Sequence, residues 1–321
     1  MRTPIDPIAL EQSLIVSRDV PFARIDAALS SLAWTRDERT TVTAPLIAGE
    51  PELAGWRHRL GWPLITYTFN PVVHLRVLEV AALAPEQRAE IAGKIAVMSH
   101  EDIASLLSSS TARARLCGVL AAREIEAFDL RAHLDRLGRD AEPAVREAAK
   151  EAAHALDETQ ARRVAALAMA RVVAASAEPL LEELAQGQPD RVLSLAPRAA
   201  DYGAVFHDRI AQDVQRAYEP LWKEHPPRVA PGERYSELEV VAVPAGMLRS
   251  HNELSREVPR GYRSVAGWLR PERVWVFWRY HPPGERAGVS YDGLVHVDGH
   301  WAWFPKPYRA IGEILARRAR P

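Results

Sequence analysis

The chain is almost without cysteine: Cys117 stands alone in 321 residues, which excludes intramolecular disulfides and cysteine-rich metal centres. Within "RLCGVLAA" it reads as a small apolar helix residue, the usual role of a free thiol. Charge of one sign is equally lacking, with 41 Lys+Arg against 42 Asp+Glu and a net charge of -1. No global field therefore recruits nucleic acid or an anionic membrane. "MRTPIDPIALEQ" lacks the apolar run of a signal peptide, and no stretch reaches the ~18 uninterrupted apolar residues of a membrane span. A cytoplasmic protein with no membrane contact is the expectation. G-x-x-x-x-G-K-[ST], G-x-G-x-x-G, G-x-S-x-G and H-E-x-x-H are all missing, so nucleotide, hydrolase-elbow and zincin chemistry lack their local signatures. No cofactor is expected.

What is present is a globular composition, 47% hydrophobic and 26% charged, in a chain long enough for two domains. Aromatics divide sharply: Trp222, Trp268, Trp275, Trp278, Trp301 and Trp303 are six of the nine tryptophans. Gly187, Pro189 and Pro197 interrupt helix in "QGQPDRVLSLAPR" and place a boundary there. The expected division is residues 1–186, α-helical, and residues 187–321, α+β.

In the first region "ARLCGVLAAREI" (114–125) overlies "VREAAKEAAHAL" (145–156) at an offset of 31 residues. The offset sets Arg115 on Arg146, Cys117 on Ala148 and Ile125 on Leu156, while Ile103 and Leu106 fall on Leu134 and Leu137. Each unit reads as two short helices that bury their apolar faces by stacking on neighbours. "LRAHLDRLGRDAEPAVREAAKEAAHAL" resembles a HEAT repeat of the short, bilin-lyase type. The resemblance implies an all-α solenoid in which Asp140 caps the turn, Pro143 starts the second helix, and Val145 and Arg146 take the "V-R" positions. "PFARIDAALSSLAW" (21–34), "HLRVLEVAAL" (74–83), "PEQRAEIAGKIAVM" (85–98) and "QARRVAALAMARVVAAS" (160–176) are compatible outlying helices, whereas "GWRHRLGWPLITYTFNP" (55–71) departs from the pattern.

In the second region "AADYGAVFHDRIAQDVQRAYEPLWKE" (199–224) has Val205, Ile210, Val214 and Tyr218 near helical spacing and predicts one long amphipathic helix. "SELEVVAVPA", "RVWVFWRYH", "AGVSY" with "LVHV", and "HWAWF" then predict an antiparallel meander. His296, Asp298 and His300 form an H-x-D-x-H triplet, but Asp298-Gly299 is a two-residue hairpin turn that pairs His296 with Trp301 and Val297 with His300. Adjacent strand positions alternate faces, so the two histidines point apart and one ion cannot collect all three ligands. No metal is expected.

A helix followed by a curved antiparallel sheet ending in "VDGHWAWF" resembles the NTF2-like α+β fold. That resemblance implies a cone with a pocket, for which Tyr202, His207, Asp292, His296 and Trp301 are the candidate ligand-binding residues. Asp292-Gly293 reads equally as a bulge or turn. In "FPKPYR" Lys306 and Arg309 are placed to meet an anion or a partner, or simply to lead the chain away from the last strand. The functional expectation is a non-enzymatic protein-interaction protein of adaptor, scaffold or immunity type, using the helical-repeat surface to bind another protein. The alternative is small-molecule binding or catalysis in an aromatic pocket of the second region; nucleic acid is not an expected partner.

Overall fold

A computed structural model describes residues 13–42, 49–58, 64–80, 83, 85–249 and 252–318. The N-terminal dodecapeptide and the last three residues of the basic tail lie outside them. The chain separates into two compact units, residues 1–163 and 164–321.

The first unit opens on strands. β1 (Ser13–Val16), β2 (Trp34–Val42), β3 (Leu53–His58), β4 (Leu64–Asn70) and β5 (Leu75–Glu79) form an antiparallel sheet in the order β1-β5-β4-β3-β2, with α1 (Phe22–Ser31) between the first two strands in sequence. The expected all-α HEAT-like solenoid is therefore corrected: the N-terminal region is a five-stranded sheet and, α1 apart, its helices come afterwards. "HLRVLEVAAL" supplies strand β5 rather than a helix, and "GWRHRLGWPLITYTFNP" carries most of β3 and the whole of β4. The physical reason lies in two-sided burial. Leu78 and Val80 join a core with Phe22, Ile25 and Leu29 of α1, whereas Leu75 and Val77 join a second core with the later helices. A strand covered on both faces loses its polar alternation and reads like a helix. Complete burial of a side chain as large as Trp56 contributes on the order of 2–3 kcal/mol.

Helices α2 (Pro85–Lys94), α3 (His100–Leu107), α4 (Ala112–Glu124), α5 (Arg131–Leu137) and α6 (Pro143–Ala185) follow. Ser99 and Asp102 close a reciprocal capping box at the start of α3. The 31-residue offset has a local structural counterpart: Arg115 donates to the carbonyls of Ser109 and Ser110, and Arg146 to those of Asp140 and Ala141. Asp140 also holds Arg115 at 2.7 Å. These helix pairs end in α6, which has 43 residues and runs on past Pro179. Ala149, Leu156, Arg163, Ala170, Ala177 and Leu184, each seven residues from the next, are its buried stripe. By length and composition α6 suffices to cross a membrane, with 22% of its most apolar 18-residue stretch buried; core helices meet the same criteria.

The second unit contains α7 (Pro189–Leu193), α8 (Ala199–Val205), α9 (Asp208–Glu224), β6 (Glu237–Pro244), α10 (Glu253–Arg256), α11 (Gly261–Val265), β7 (Val274–His281), β8 (Val289–Val297), β9 (His300–Trp303) and α12 (Pro307–Arg318). The sheet is a four-stranded antiparallel meander, β6-β7-β8-β9. The single helix expected over 199–224 is divided: Phe206 is extended and bridges to Leu269, while His207 caps α9. Phe206, Val295, Val297, Ala302 and Phe304 lie in one core with α9 and α12. Leu294, Trp278 and Trp303 lie in another with the end of α6.

Candidate functional site

The β8–β9 turn has the register its Asp-Gly pair dictates, with His296 opposite Trp301 and Val297 opposite His300. The triplet disperses accordingly. His296 is exposed and meets Trp301 edge-on at 5.1 Å; Asp298 sits in the turn at φ 44°, 3.5 Å from Arg273; His300 pairs with buried Asp201 at 3.0 Å.

A different carboxyl occupies the centre of the unit. Along β7 and β8, Val276 pairs with Leu294 and Phe277 with Asp292, which leaves Gly293 as an extra residue. This is a β-bulge with glycine at φ +92°, and a Cβ there would stand 1.9 Å from the Phe304 carbonyl oxygen. In a regular strand Asp292 would share a face with Leu294; the bulge transfers it to the face of Phe277 and Tyr262. There it is buried. The Tyr262 hydroxyl donates to Oδ1 at 2.9 Å, and the Lys306 backbone N–H donates to the same oxygen at 2.8 Å. Both bonds end on Oδ1.

Each holding group is itself positioned. Tyr262 is on α11, where Gly261 admits the Tyr308 ring so closely that a Cβ would lie 2.4 Å from it. Lys306 turns at φ 53°, just after Pro305, whose carbonyl accepts from the Tyr218 hydroxyl at 2.9 Å. The Trp303 indole N–H donates to the Asp292 carbonyl at 2.8 Å, and Phe304 N–H to the Gly293 carbonyl at 2.8 Å. Burial raises the Asp292 carboxyl above its ordinary range, against the opposing Lys306 N–H, the Tyr262 hydroxyl, and the charges of Lys306 and Arg309. Burial likewise pushes the Tyr218 and Tyr262 hydroxyls up, so both stay protonated donors.

Asp292 opens onto a hollow of about 480 Å³ lined by Ala217, Tyr218, Leu221, Pro227, Arg228, Ser290, Tyr291, Trp303, Pro305, Lys306, Arg309, Ala310 and Glu313. A second hollow of about 310 Å³, with Val241, Phe277 and Trp278 in its lining, shares Ser290, Tyr291 and Asp292 with the first. Tyr291 stacks on Trp278 at 5.4 Å between them. The first volume falls in the range of small-molecule sites.

Of the residues singled out from sequence, Asp292 lines both hollows. Tyr202 is in the core against Tyr218 and Phe304. His207 caps α9, accepting from Arg209 N–H at 3.4 Å, and Trp301 packs under His296. Neither hollow has Tyr202, His207, His296 or Trp301 in its lining. Tyr218 and Tyr262, which hold and surround Asp292, were not among the candidates, and Lys306 was read only as a cation that could meet an anion or a partner. The signal that could have found them is Asp292-Gly293 inside a strand pattern, since a glycine there marks a bulge or a close backbone approach.

Comparison with known protein families, curated proteins and solved structures finds no match for this chain. The HEAT-like and NTF2-like resemblances therefore receive no support. Fold and site together define a two-unit α+β protein with a buried carboxyl opening onto an aromatic hollow.

Proposed function

We propose that the second unit binds a small organic molecule in the Asp292 hollow. One observation carries this reading: a buried carboxyl in the lining of an aromatic cavity has both of its hydrogen bonds on one oxygen. Buried polar groups are normally satisfied within the protein, so an open acceptor on a pocket wall marks a place for a ligand donor. The aromatic lining supplies contact area, and the carboxyl supplies orientation. A cytoplasmic setting belongs to the same proposal, in keeping with the unpaired, buried Cys117.

The test is a ligand-observed NMR screen of small phenols and amides against the intact chain and its Asp292→Asn variant. Compounds that bind the wild type are expected to lose about tenfold in affinity in the variant, the effect of one charge-assisted hydrogen bond. Equal binding to both chains would remove Asp292 from the site and defeat the reading. Binding of another protein is a second reading, supported by Val164, Met169 and Val172, which are 57%, 55% and 65% exposed along α6. Val172→Lys should abolish capture of such a partner while leaving small-molecule binding intact.

A further inference from the structure

Resting on the pocket reading above, we infer that the ligand is an organic anion: a flat apolar body with a hydroxyl or N–H at one end and a carboxylate or phosphate at the other. The lining is segregated by chemistry. Asp292 is the inner acceptor, Trp303 and Tyr291 offer aromatic surface, and Arg228, Lys306 and Arg309 are exposed around the same hollow. None of these three cations forms an ion pair with a carboxylate among the described residues. Arg309 meets the Tyr308 hydroxyl, a neutral partner.

Described cations without an ion pair also occur elsewhere in the unit, Arg171 and Arg286 among them; what marks the rim is that three of them line one hollow. Arg191, Arg216, Lys223, Arg256, Arg270, Arg279 and Arg318 each have a carboxylate within 4 Å. Around the hollow, three cations face Glu313 as the one exposed carboxylate of the lining. Positive charge is therefore in excess at the mouth, while the inner end accepts a proton donor. A neutral ligand satisfies only the inner end, and an organic cation meets repulsion at the mouth. An anion with a distal donor satisfies both.

Three probes built on one ring separate the possibilities: 4-hydroxybenzoate, 4-hydroxybenzyl alcohol and tyramine, titrated calorimetrically into the intact chain at low salt. The expected result is that 4-hydroxybenzoate binds about tenfold more tightly than the alcohol, and tyramine more weakly than either. The double variant Lys306→Gln with Arg309→Gln should bring the benzoate down to the affinity of the alcohol and leave the alcohol unchanged. Both side chains are exposed, so this variant tests charge without disturbing the core. If the alcohol or tyramine binds as well as the benzoate, the pocket stands and the anion inference falls. If all three fail to bind, the pocket reading falls with it.

Discussion

Each unit buries a carboxyl beside a tyrosine hydroxyl, and the two are handled in opposite ways. In the first unit Glu50 is closed on both oxygens: Arg76 meets Oε1 at 2.7 Å, and the Tyr67 hydroxyl donates to Oε2 at 2.8 Å. Burial pushes Glu50 up, but Arg76 and Tyr67 outweigh it and hold the group below its ordinary range. In the second unit Asp292 has no arginine on it, its bonds fall on one oxygen, and it stays above its ordinary range. A buried charge that is fully partnered serves the fold. One that is half partnered and lines a hollow is available to a ligand.

The sharpest way to break this contrast is Glu50→Ala, which strands the Arg76 guanidinium and the Tyr67 hydroxyl in the interior. Urea unfolding should register a loss of about 3–5 kcal/mol, the cost of an uncompensated buried charge. A loss under about 1 kcal/mol would show that the ion pair contributes little. Next comes Gly293→Ala, expected to cost about 3 kcal/mol because a Cβ meets the Phe304 carbonyl at a positive φ. Unchanged thermal unfolding of that variant would mean that the bulge rearranges freely.

The two tyrosines allow a matched test. Tyr67→Phe removes a bond to a carboxylate already held by arginine and should cost about 1.5–3 kcal/mol, whereas Tyr262→Phe should cost about 1 kcal/mol. Equal costs would abolish the distinction between the two carboxyls. The smallest effect, and the most diagnostic in sign, is pH dependence. Glu50 contributes stability above its ordinary value of 4.5, and that contribution is lost as pH falls through its folded value. For Asp292 the sign reverses. Its contribution is complete below the ordinary value of 3.8 and lost as pH rises through its folded value. Asp292→Asn should therefore gain stability relative to wild type as pH climbs above about 4, with no difference in stronger acid. A constant offset across pH in parallel melts would contradict the raised carboxyl.

How legible this was in the sequence depended on whether burial left a pattern. The β8–β9 hairpin could be read because Asp298-Gly299 fixes its register and its strands are rich in valine and tryptophan. β5 could not be read, since Leu75 and Val77 enter one core and Leu78 and Val80 another, leaving no polar alternation to identify a strand. β2 failed for the opposite reason, because "WTRDERTTV" is nearly all polar. Alanines in α4 and α6 resembled a stacked array, and nothing local announced that a sheet would cover one side. At the site, Asp292 was visible as a residue, but its holders were not. Tyr262 is 30 positions away in sequence, in a stretch without clear periodicity, and it meets Asp292 only once the sheet has formed.

The bulge at Gly293 makes the site a question of parity. Strand residues alternate between two faces, so one surplus residue acts as a phase shift for everything on one side of it. Drawing Gly293 into the ladder opposite Phe277 would keep Tyr262, Lys306, Arg309 and Asp292 in the chain and still turn the carboxyl toward the tryptophan face, opposite Trp278. Every chemical group would survive and the pocket would lose its acceptor. In comparing related chains, an aspartate at the same spacing from the Asp298-Gly299 turn thus marks a shared site only where a bulge residue stands between them.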